Sequence, residues 1–400
     1  MNKKIAIIGA GLAGCSLAYE LSKSNNFDIT VFDKNDDIAT QASGNFAGIL
    51  APYLTSDNNF SDQFHTLGYS LLLDFINEYK NEIEICNQGV LRILTDEKDL
   101  KRYQKIFAKR YINPDLAQLL SSENLSQMLK QKNDNNAVYY PNAISVVPKS
   151  VCQLLLKLSN AKLRLNSEFT DISKDYDSLW NLEFDNHNEK FDIIIFAGGY
   201  GLFNKVSYLN KIPVYPSLGQ LTVIDKAFDI DKTIIDKGYI IPNYKENLQV
   251  IGATFRDNSD TAGDIRESDN EFNISQIKEI LFDDQSKQIN VVDSRVATRC
   301  VTSDHLPLIG KLVNYNKFEN DFFKPISKGY PKSKMPQVEY EQGLYLASGF
   351  GSKGMCSCMV AAKIITSEIT KQKHIVSDKL LDALSPQRFW LRSFKKGLKY

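Results

Sequence analysis

Lys3–Asp33 reads KKIAIIGAGLAGCSLAYELSKSNNFDITVFD. Its first apolar run, Ile5–Ile8, has the length and β-branching of a buried parallel strand. The run enters GAGLAG directly, with glycines at Gly9, Gly11 and Gly14. A helix is predicted from Leu12 to about Ser24, with Leu17, Ala18 and Leu21 at helical spacing, and Ile29–Phe32 reads as a second strand. Gly9 permits the tight turn, Gly11 lets a pyrophosphate approach the backbone, and Gly14 lets helix and strand pack closely. The helix opens at Leu12 and Ala13 with its amide end toward the phosphate charge. Asp33, 19 residues beyond Gly14, is placed to accept a hydrogen bond from a ribose hydroxyl. GxGxxG alone identifies little. With a strand before it, a helix after it and an acid at this distance, it marks a dinucleotide-binding unit.

Four hundred residues imply about two domains. A hydrophobic content of 43% and a charged content of 24% are those of an ordinary globular protein. The 48 basic and 48 acidic residues cancel, so the whole molecule is no polyanion binder and any nucleic-acid contact must be a local patch. No run approaches the roughly 18 apolar residues of a transmembrane helix. Met1 leads straight into the first strand, so no signal peptide or preceding domain is expected. Six scattered cysteines argue for reduced thiols in a cytoplasmic protein. Cys356 and Cys358 have neither the spacing of a redox CxxC nor the partners of a metal site, and no metal is expected.

After Asp33 the chain offers a second small, polar, glycine-containing loop, Ala42–Gly48. Such a loop suits FAD, whose pyrophosphate and flavin reach farther than one fingerprint; Ser43 and Asn45 could donate to phosphate or ribityl oxygens beside Gly44. The alternative, less favoured, is a polar surface loop. Phe60–Lys80 has the apolar spacing of an amphipathic helix, and Glu97–Arg110 reads as a basic one. The basic helix is either a solvated face or a phosphate contact. Asn113–Asn136 is ambiguous. Val151–Leu158 looks helical, with short strands after it around Lys162–Asn166 and Phe169–Ser173. Phe191–Gly199, FDIIIFAGG, is a buried strand that returns the chain to the nucleotide-binding sheet. Gly219–Asp225, Tyr239–Ile241 and Leu248–Phe255 read as strands of a separate, largely antiparallel sheet, followed by a charged loop over Asp257–Asn270 and a helix over Asn273–Phe282.

Arg295–Gly310, RVATRCVTSDHLPLIG, carries two arginines four apart. A guanidinium near a flavin is a natural clamp for a substrate carboxylate, since its planar fork matches two oxygens; an arginine here could also simply pair with Asp304. His305 reads as a turn or core histidine. Leu344–Ser348 then runs into Gly349–Gly354 and a helix from about Met355 to Ile369. Its amides, with the charge of Lys353, suit a flavin edge that becomes negative on reduction. The tail SPQRFWLRSFKKGLKY interleaves cations with aromatics, as a base-stacking surface or as a docked amphipathic helix.

These stretches together resemble the D-amino-acid oxidase/glycine oxidase superfamily. Within it the likeness is to the tRNA-modifying FAD oxidoreductase module that forms the C-terminal half of bifunctional MnmC. ASGNFAGILAPYL (Ala42–Leu54), LGQLTVI (Leu218–Ile224), the Arg295–Gly310 segment, ASGFGSKGMCS (Ala347–Ser357) and LDALSPQRFWLR (Leu381–Arg392) carry it. The resemblance implies a mixed α/β fold of D-amino-acid oxidase type: a discontinuous Rossmann-like FAD-binding domain over 1–85, 145–212 and 296–400, interleaved with a largely antiparallel substrate domain over 86–144 and 213–295. It implies FAD as cofactor and modified tRNA as substrate. The activity it implies is oxidative removal of the carboxymethyl group from 5-carboxymethylaminomethyl-(2-thio)uridine at the wobble position. Gly9, Gly11, Leu12, Ala13, Gly14 and Asp33 then match the first FAD site and Ser43, Gly44 and Asn45 the second loop. Gly351, Ser352, Lys353, Gly354 and Met355 match the flavin edge. Arg299 falls where glycine-oxidase relatives hold the substrate carboxylate, and Tyr239 is a candidate hydrogen-bond partner for that carboxylate or the amine.

Two departures stand out. The family's methyltransferase domain is not in this sequence, so methylation is expected from a separate methyltransferase. The flavin-edge loop, usually Ser-Arg-Gly, here reads Ser352–Lys353–Gly354, which keeps charge but loses bidentate bonding. Two other functions fit the same residues: an oxidase of free glycine, sarcosine or D-amino acids, and a flavin-bearing tRNA-binding protein without turnover.

Overall fold

The structure, a computed structural model, describes residues 2–175, 179–256, 263–281 and 288–400. The chain divides into two compact units. The first comprises Met1–Thr40, Cys152–Pro216 and Arg299–Tyr400; the second comprises Gln41–Val151 and Ser217–Thr298.

A six-stranded sheet forms the heart of the first unit, in the order Leu308–Lys311, Leu344–Ser348, Ile193–Phe196, Lys3–Ile8, Phe27–Phe32 and Lys162–Arg164. Every pairing is parallel except that of the Leu308–Lys311 edge. Ile5 lies in register with Ile29 on one side and Ile193 on the other. Strands buried on both faces need continuous apolar runs, and IAII and IIIF are such runs. The helices Leu12–Ser22 and Gly354–Thr370 pack against each other, cross-braced by the Lys363–Glu20 ion pair at 3.0 Å. An aromatic core around Phe32, Trp180, Phe184 and Phe196 joins the sheet to an antiparallel ribbon of Phe169–Lys174, Trp180–Phe184 and Asn188–Phe191. Phe32 stacks on Phe184 at 4.5 Å, and the Trp180 indole N–H donates to the Gln342 carbonyl.

The second unit is built on a nine-stranded sheet: eight strands run from Val291–Val301 through Tyr215–Asp225, Leu248–Gly252, Tyr239–Lys245, Thr233–Ile235, Ile85–Leu94 and Asn136–Val146 to Gly48–Leu50, and Gln118–Leu120 pairs with Asn136–Val146 off this path. From Tyr215–Asp225 to Gly48–Leu50 the pairings are antiparallel apart from that of Thr233–Ile235 with Ile85–Leu94. The helix Glu267–Leu281 covers one face through Ile277 and Ile280 and through a buried polar seam. There Asn270 accepts from Gln220 and Thr222, and Asn273 donates to the Gln220 carbonyl. Each buried amide is thereby satisfied.

Several segments differ from expectation. Residues 41–85, expected in the FAD-binding segment 1–85, cluster with the second unit. Gly48–Leu50 pairs with Asn136–Val146, and buried Asp62 binds Arg110. The basic helix Glu97–Lys109 is a solvated face whose Lys101 and Arg102 pair with Glu97 and Asp99 one turn earlier. The ambiguous stretch 113–136 holds the strand Gln118–Leu120 and the helix Ser122–Leu129, capped by Ser121. Of the expected charged loop and helix, residues 257–262 and Phe282 lie outside the described residues, and the helix begins already at Glu267. Among the described residues no helix is long and apolar enough to cross a membrane.

Candidate active site

The first turn is fixed by close approach. Gly9 has φ +115°, and a Cβ there would lie 2.8 Å from the Cα of Gly198. A Cβ on Gly14 would lie 1.8 Å from the Gly9 carbonyl oxygen, which no side chain can accommodate. The Gly9 N–H donates to the Phe32 carbonyl at 2.7 Å, so strand and turn are tied where the second strand ends. Asp33 completes the knot: its Oδ2 accepts from the Ala10 N–H at 2.8 Å, and its Oδ1 accepts from the Asn35 backbone and side-chain amides. Oδ1 is thereby filled, while Oδ2 keeps capacity for a further donor. The helix Leu12–Ser22 starts at Gly11 with no side-chain cap and no acid in its first turn. A helix N-terminus without a side-chain cap or an acid is suited, by its dipole, to an anion.

A second turn of the same design is built late in the same unit. Leu344–Ser348 ends in Gly349 and Gly351, with φ +71° and +53°, and the helix Gly354–Thr370 opens at Lys353, again without a side-chain cap or an acid in its first turn. The Gly351 N–H donates to the Cys300 carbonyl at 2.9 Å, holding this turn beside the strand that carries Arg299. Gly354 lies against Leu12: a Cβ on it would be 3.7 Å from Leu12 Cδ1. Two turns more than three hundred positions apart are thus neighbours. Ser352 is exposed, Lys353 half-buried and Met355 buried. Gly198 is a residue whose part the sequence did not reveal. It forms the floor under Gly9, and its carbonyl accepts from Ser348 Oγ at 3.0 Å.

Arg299 is 8% exposed, on a strand where Arg295 and Arg299 fall on the same side by the two-residue alternation. Neither arginine pairs with Asp304, the alternative raised by the sequence. Asp304 is held by Arg388 through Nε and Nη2, at 3.0 and 2.9 Å, and by Arg392 at 2.6 Å. Burial pushes the Asp304 carboxyl up, but the hydrogen bonds and charge of Arg388 and the bond from Arg392 prevail and hold it at about 2. His305 is an exposed turn residue with φ +58°, as the turn reading expects.

In the second unit Ala42–Gly44 forms one 3₁₀ turn, closed by the Gly44 N–H on the Gln41 carbonyl. The Arg295 guanidinium donates to that same carbonyl at 3.0 Å. Ser43, Gly44 and Asn45 are half-buried, and the chain beyond them enters an apolar cluster through Phe46 and Ala47. Tyr239 packs on that cluster, in register with Gly252. A Cβ on Gly252 would lie 3.5 Å from the Tyr239 hydroxyl, so the phenol lies over a position without a side chain. Among the described residues no group of three or more His, Cys, Asp or Glu is placed to hold a metal.

Four likenesses bear on this arrangement. The chain is 27% identical over 410 residues to "tRNA 5-methylaminomethyl-2-thiouridine biosynthesis bifunctional protein MnmC" of Hydrogenovibrio crunogenus, covering 99% of this chain but 60% of that protein's length. Its fold matches glycine oxidase from Geobacillus kaustophilus with a TM-score of 0.76 at 18% identity, over 97% of this chain and 99% of the other. It also matches iminodiacetate oxidase from Chelativorans sp. BNC1 with a TM-score of 0.72 at 19% identity, over 96% and 98% of the two chains. Residues 4–368 match the family described as FAD dependent oxidoreductase, DAO. Collisions that forbid a Cβ at Gly9 and Gly14, together with two uncapped helix N-termini set side by side, fit the FAD this family uses. The chain belongs to the FAD-dependent oxidoreductase family, and it is a flavoenzyme of D-amino-acid oxidase fold.

Proposed function

We propose that this enzyme removes the carboxymethyl group from 5-carboxymethylaminomethyl-(2-thio)uridine at the tRNA wobble position, leaving the 5-aminomethyl base and glyoxylate. The observation that carries the reading is the placement of Arg299: a buried guanidinium on the strand whose next carbonyl, that of Cys300, is held by Gly351 of the late turn. The likeness to the MnmC protein over nearly the whole chain supplies the substrate class.

The substrate presents a secondary amine bearing CH2–COO⁻, in effect an N-substituted glycine. FAD, when bound, supplies the two-electron acceptor for oxidation of that N–CH2 unit, and water cleaves the resulting imine into glyoxylate and a primary amine. In this reading Arg299 grips the carboxylate with two parallel hydrogen bonds and so fixes the methylene. Tyr239 donates a hydrogen bond to the carboxylate or the amine. The amides of Gly11, Leu12, Ala13 and Gly14 hold the pyrophosphate, and Asp33 accepts from the ribose. Ser43, Gly44 and Asn45 serve as the second loop. Gly351, Ser352, Lys353, Gly354 and Met355 present amides and a cation where negative charge builds. No side-chain base is required, because the amine reacts in its neutral form; turnover rises with pH through the bound amine's pKa. Methylation of the product lies outside these residues and is assigned to a methyltransferase partner.

Mass spectrometry of wobble uridines from cells deprived of this chain tests the reading. Accumulated 5-carboxymethylaminomethyl-(2-thio)uridine is the expected result, and an unchanged nucleoside profile contradicts it.

A further inference from the structure

The tail and the helix Tyr315–Ser327 meet through their aromatic faces. Trp390 stands edge-on to Tyr315 at 4.9 Å, and Phe394 meets Phe318 at 6.1 Å and Phe323 at 5.4 Å. Phe389, Trp390 and Phe394 are all buried, so none of them is open to stack on a base. The chain end folds back on the same helix, where the Tyr400 N–H donates to the Tyr315 hydroxyl and Lys399 binds Glu319. Docking the aromatics inward leaves Arg392 and Lys395 of the helix Arg388–Lys395 facing outward.

What faces out is cationic. Lys324, Lys328, Lys332, Lys334, Lys395 and Lys396 are exposed, and among the described residues none has a carboxylate within ion-pair distance. Acids on this face are few, and three of them are paired: Glu339 with Lys317, Asp304 with Arg392 and Glu319 with Lys399, while Asp321 is exposed on the helix. Residues 322–338 and 386–400 contain no Asp or Glu at all, in a chain whose 48 acidic and 48 basic residues cancel as a whole. Helix-end lysines answering the dipole account for Lys324 and Lys395. They do not account for Lys332 and Lys334, which lie beyond the helix in a separate 3₁₀ turn. The hydrogen bond from Tyr330 N–H to the Pro325 carbonyl folds that segment back on the helix end, and the 5.4 Å contact of Phe323 with Phe394 brings Lys324 and Lys395 into one neighbourhood. Lys328 to Lys334 spans at most about 20 Å, about six nucleotides at roughly 3.4 Å rise per strand.

This face is also rigidly joined to the turn carrying the late glycines. Arg388, 4% exposed, binds Asp304 and the carbonyls of Leu306 and Pro307. Thr302 of that same turn lies 3.0 Å from where a Cβ on Gly349 would be.

We propose that the face made by the Tyr315–Ser327 helix, the lysine segment after it and the tail helix binds the phosphate backbone of the RNA substrate, positioning it without reading its sequence. The proposal rests on the tRNA reading of the site, and the experiment separates the two. The probe is the full-length flavoprotein carrying Lys328→Gln, Lys332→Gln, Lys334→Gln and Lys395→Gln, all at exposed positions. Binding of carboxymethylaminomethyl tRNA is measured from 50 to 400 mM KCl, alongside oxidation of the same tRNA and of the free modified nucleoside. The expected result is a tRNA Kd raised about 10- to 100-fold near 0.1 M salt and a log–log salt slope shallower by about 3, because each lysine lost releases one fewer counterion. Flavin content, melting temperature and turnover of the free nucleoside stay at wild-type values.

An unchanged Kd and slope overturn the proposal even where the tRNA is oxidised normally. Loss of tRNA affinity in the variant, with no tRNA oxidation even by the wild type, leaves this surface standing and removes the proposed reaction. A variant that loses binding to phosphatidylserine vesicles but not to tRNA overturns the RNA assignment in favour of a membrane surface.

Discussion

Gly9–Gly14 and Gly349–Gly354 both carry a buried strand through glycines into an uncapped helix, yet their glycines answer different demands. In the early turn the demand is space: a Cβ at Gly14 would lie 1.8 Å from Gly9 O, and one at Gly9 would lie 2.8 Å from Gly198. In the late turn space is available at Gly351 and Gly354, where a Cβ would meet nothing nearer than 3.9 and 3.7 Å, and is tight only at Gly349, where it would lie 3.0 Å from Thr302. There the demand is backbone handedness at Gly349 and Gly351, both with positive φ. The late turn alone carries a cation, Lys353, and lies beside a buried arginine. On the proposed reading the early turn is therefore a device of shape, which would let backbone approach a phosphate, and the late one a device of charge.

The contrast can be broken at its strongest point with Gly14→Ala. The extra methyl forces helix and strand apart, and the purified variant should retain less than about a tenth of the wild-type flavin, read from absorbance per protein. Full flavin content there would remove shape as the early turn's role. Arg299→Lys comes next. It keeps the charge but loses the fork, so kcat/KM on the modified tRNA should fall about 100- to 1000-fold while the protein stays yellow. Undiminished turnover would take Arg299 out of carboxylate binding.

Asp304 tests the mounting of the late turn. Its folded pKa of about 2 lies below the ordinary carboxylate value of 3.8. The pair with Arg388 thus adds stability that is present above pH 4 and lost as pH falls toward 2. Asp304→Asn should show a shallower loss of stability between pH 4 and 2 in urea titrations than the wild type; parallel curves would refute the assignment. Lys353→Met should lower turnover about 10-fold with flavin retained, and Lys353→Arg should restore it. Smallest of all is Gly354→Ala, whose Cβ enters ordinary contact with Leu12. The expected change is within about 0.5 kcal/mol in stability, with normal flavin content, in opposition to Gly14→Ala.

Much of the first unit was legible because its signals are local. Strand, GxGxxG, helix and acid lie within one short stretch, and Leu344–Ser348 has the bounds its apolar run predicts. Residues 41–85 were not legible. Their membership is decided by pairing of Gly48–Leu50 with a strand near 144–146, a contact that leaves no mark on local periodicity. The partner of Asp304 was hidden likewise: Arg388 lies 84 positions away, while Arg299 is near in sequence and points elsewhere in function. The tail's composition permitted either stacking on bases or docking, and the aromatic core of Tyr315, Phe318 and Phe323 decided for docking. Its cations kept the other half of the expectation open.

The central claim is that these two turns hold one FAD beside an arginine that anchors an N-carboxymethyl amine. It is tested most directly by anaerobic mixing of the purified protein with carboxymethylaminomethyl tRNA, with free glycine and sarcosine in parallel. The account predicts that the tRNA bleaches the oxidised-flavin absorbance near about 450 nm and that the free amino acids do not. Bleaching by the amino acids with the tRNA inert, or a protein that takes up no flavin, would contradict it.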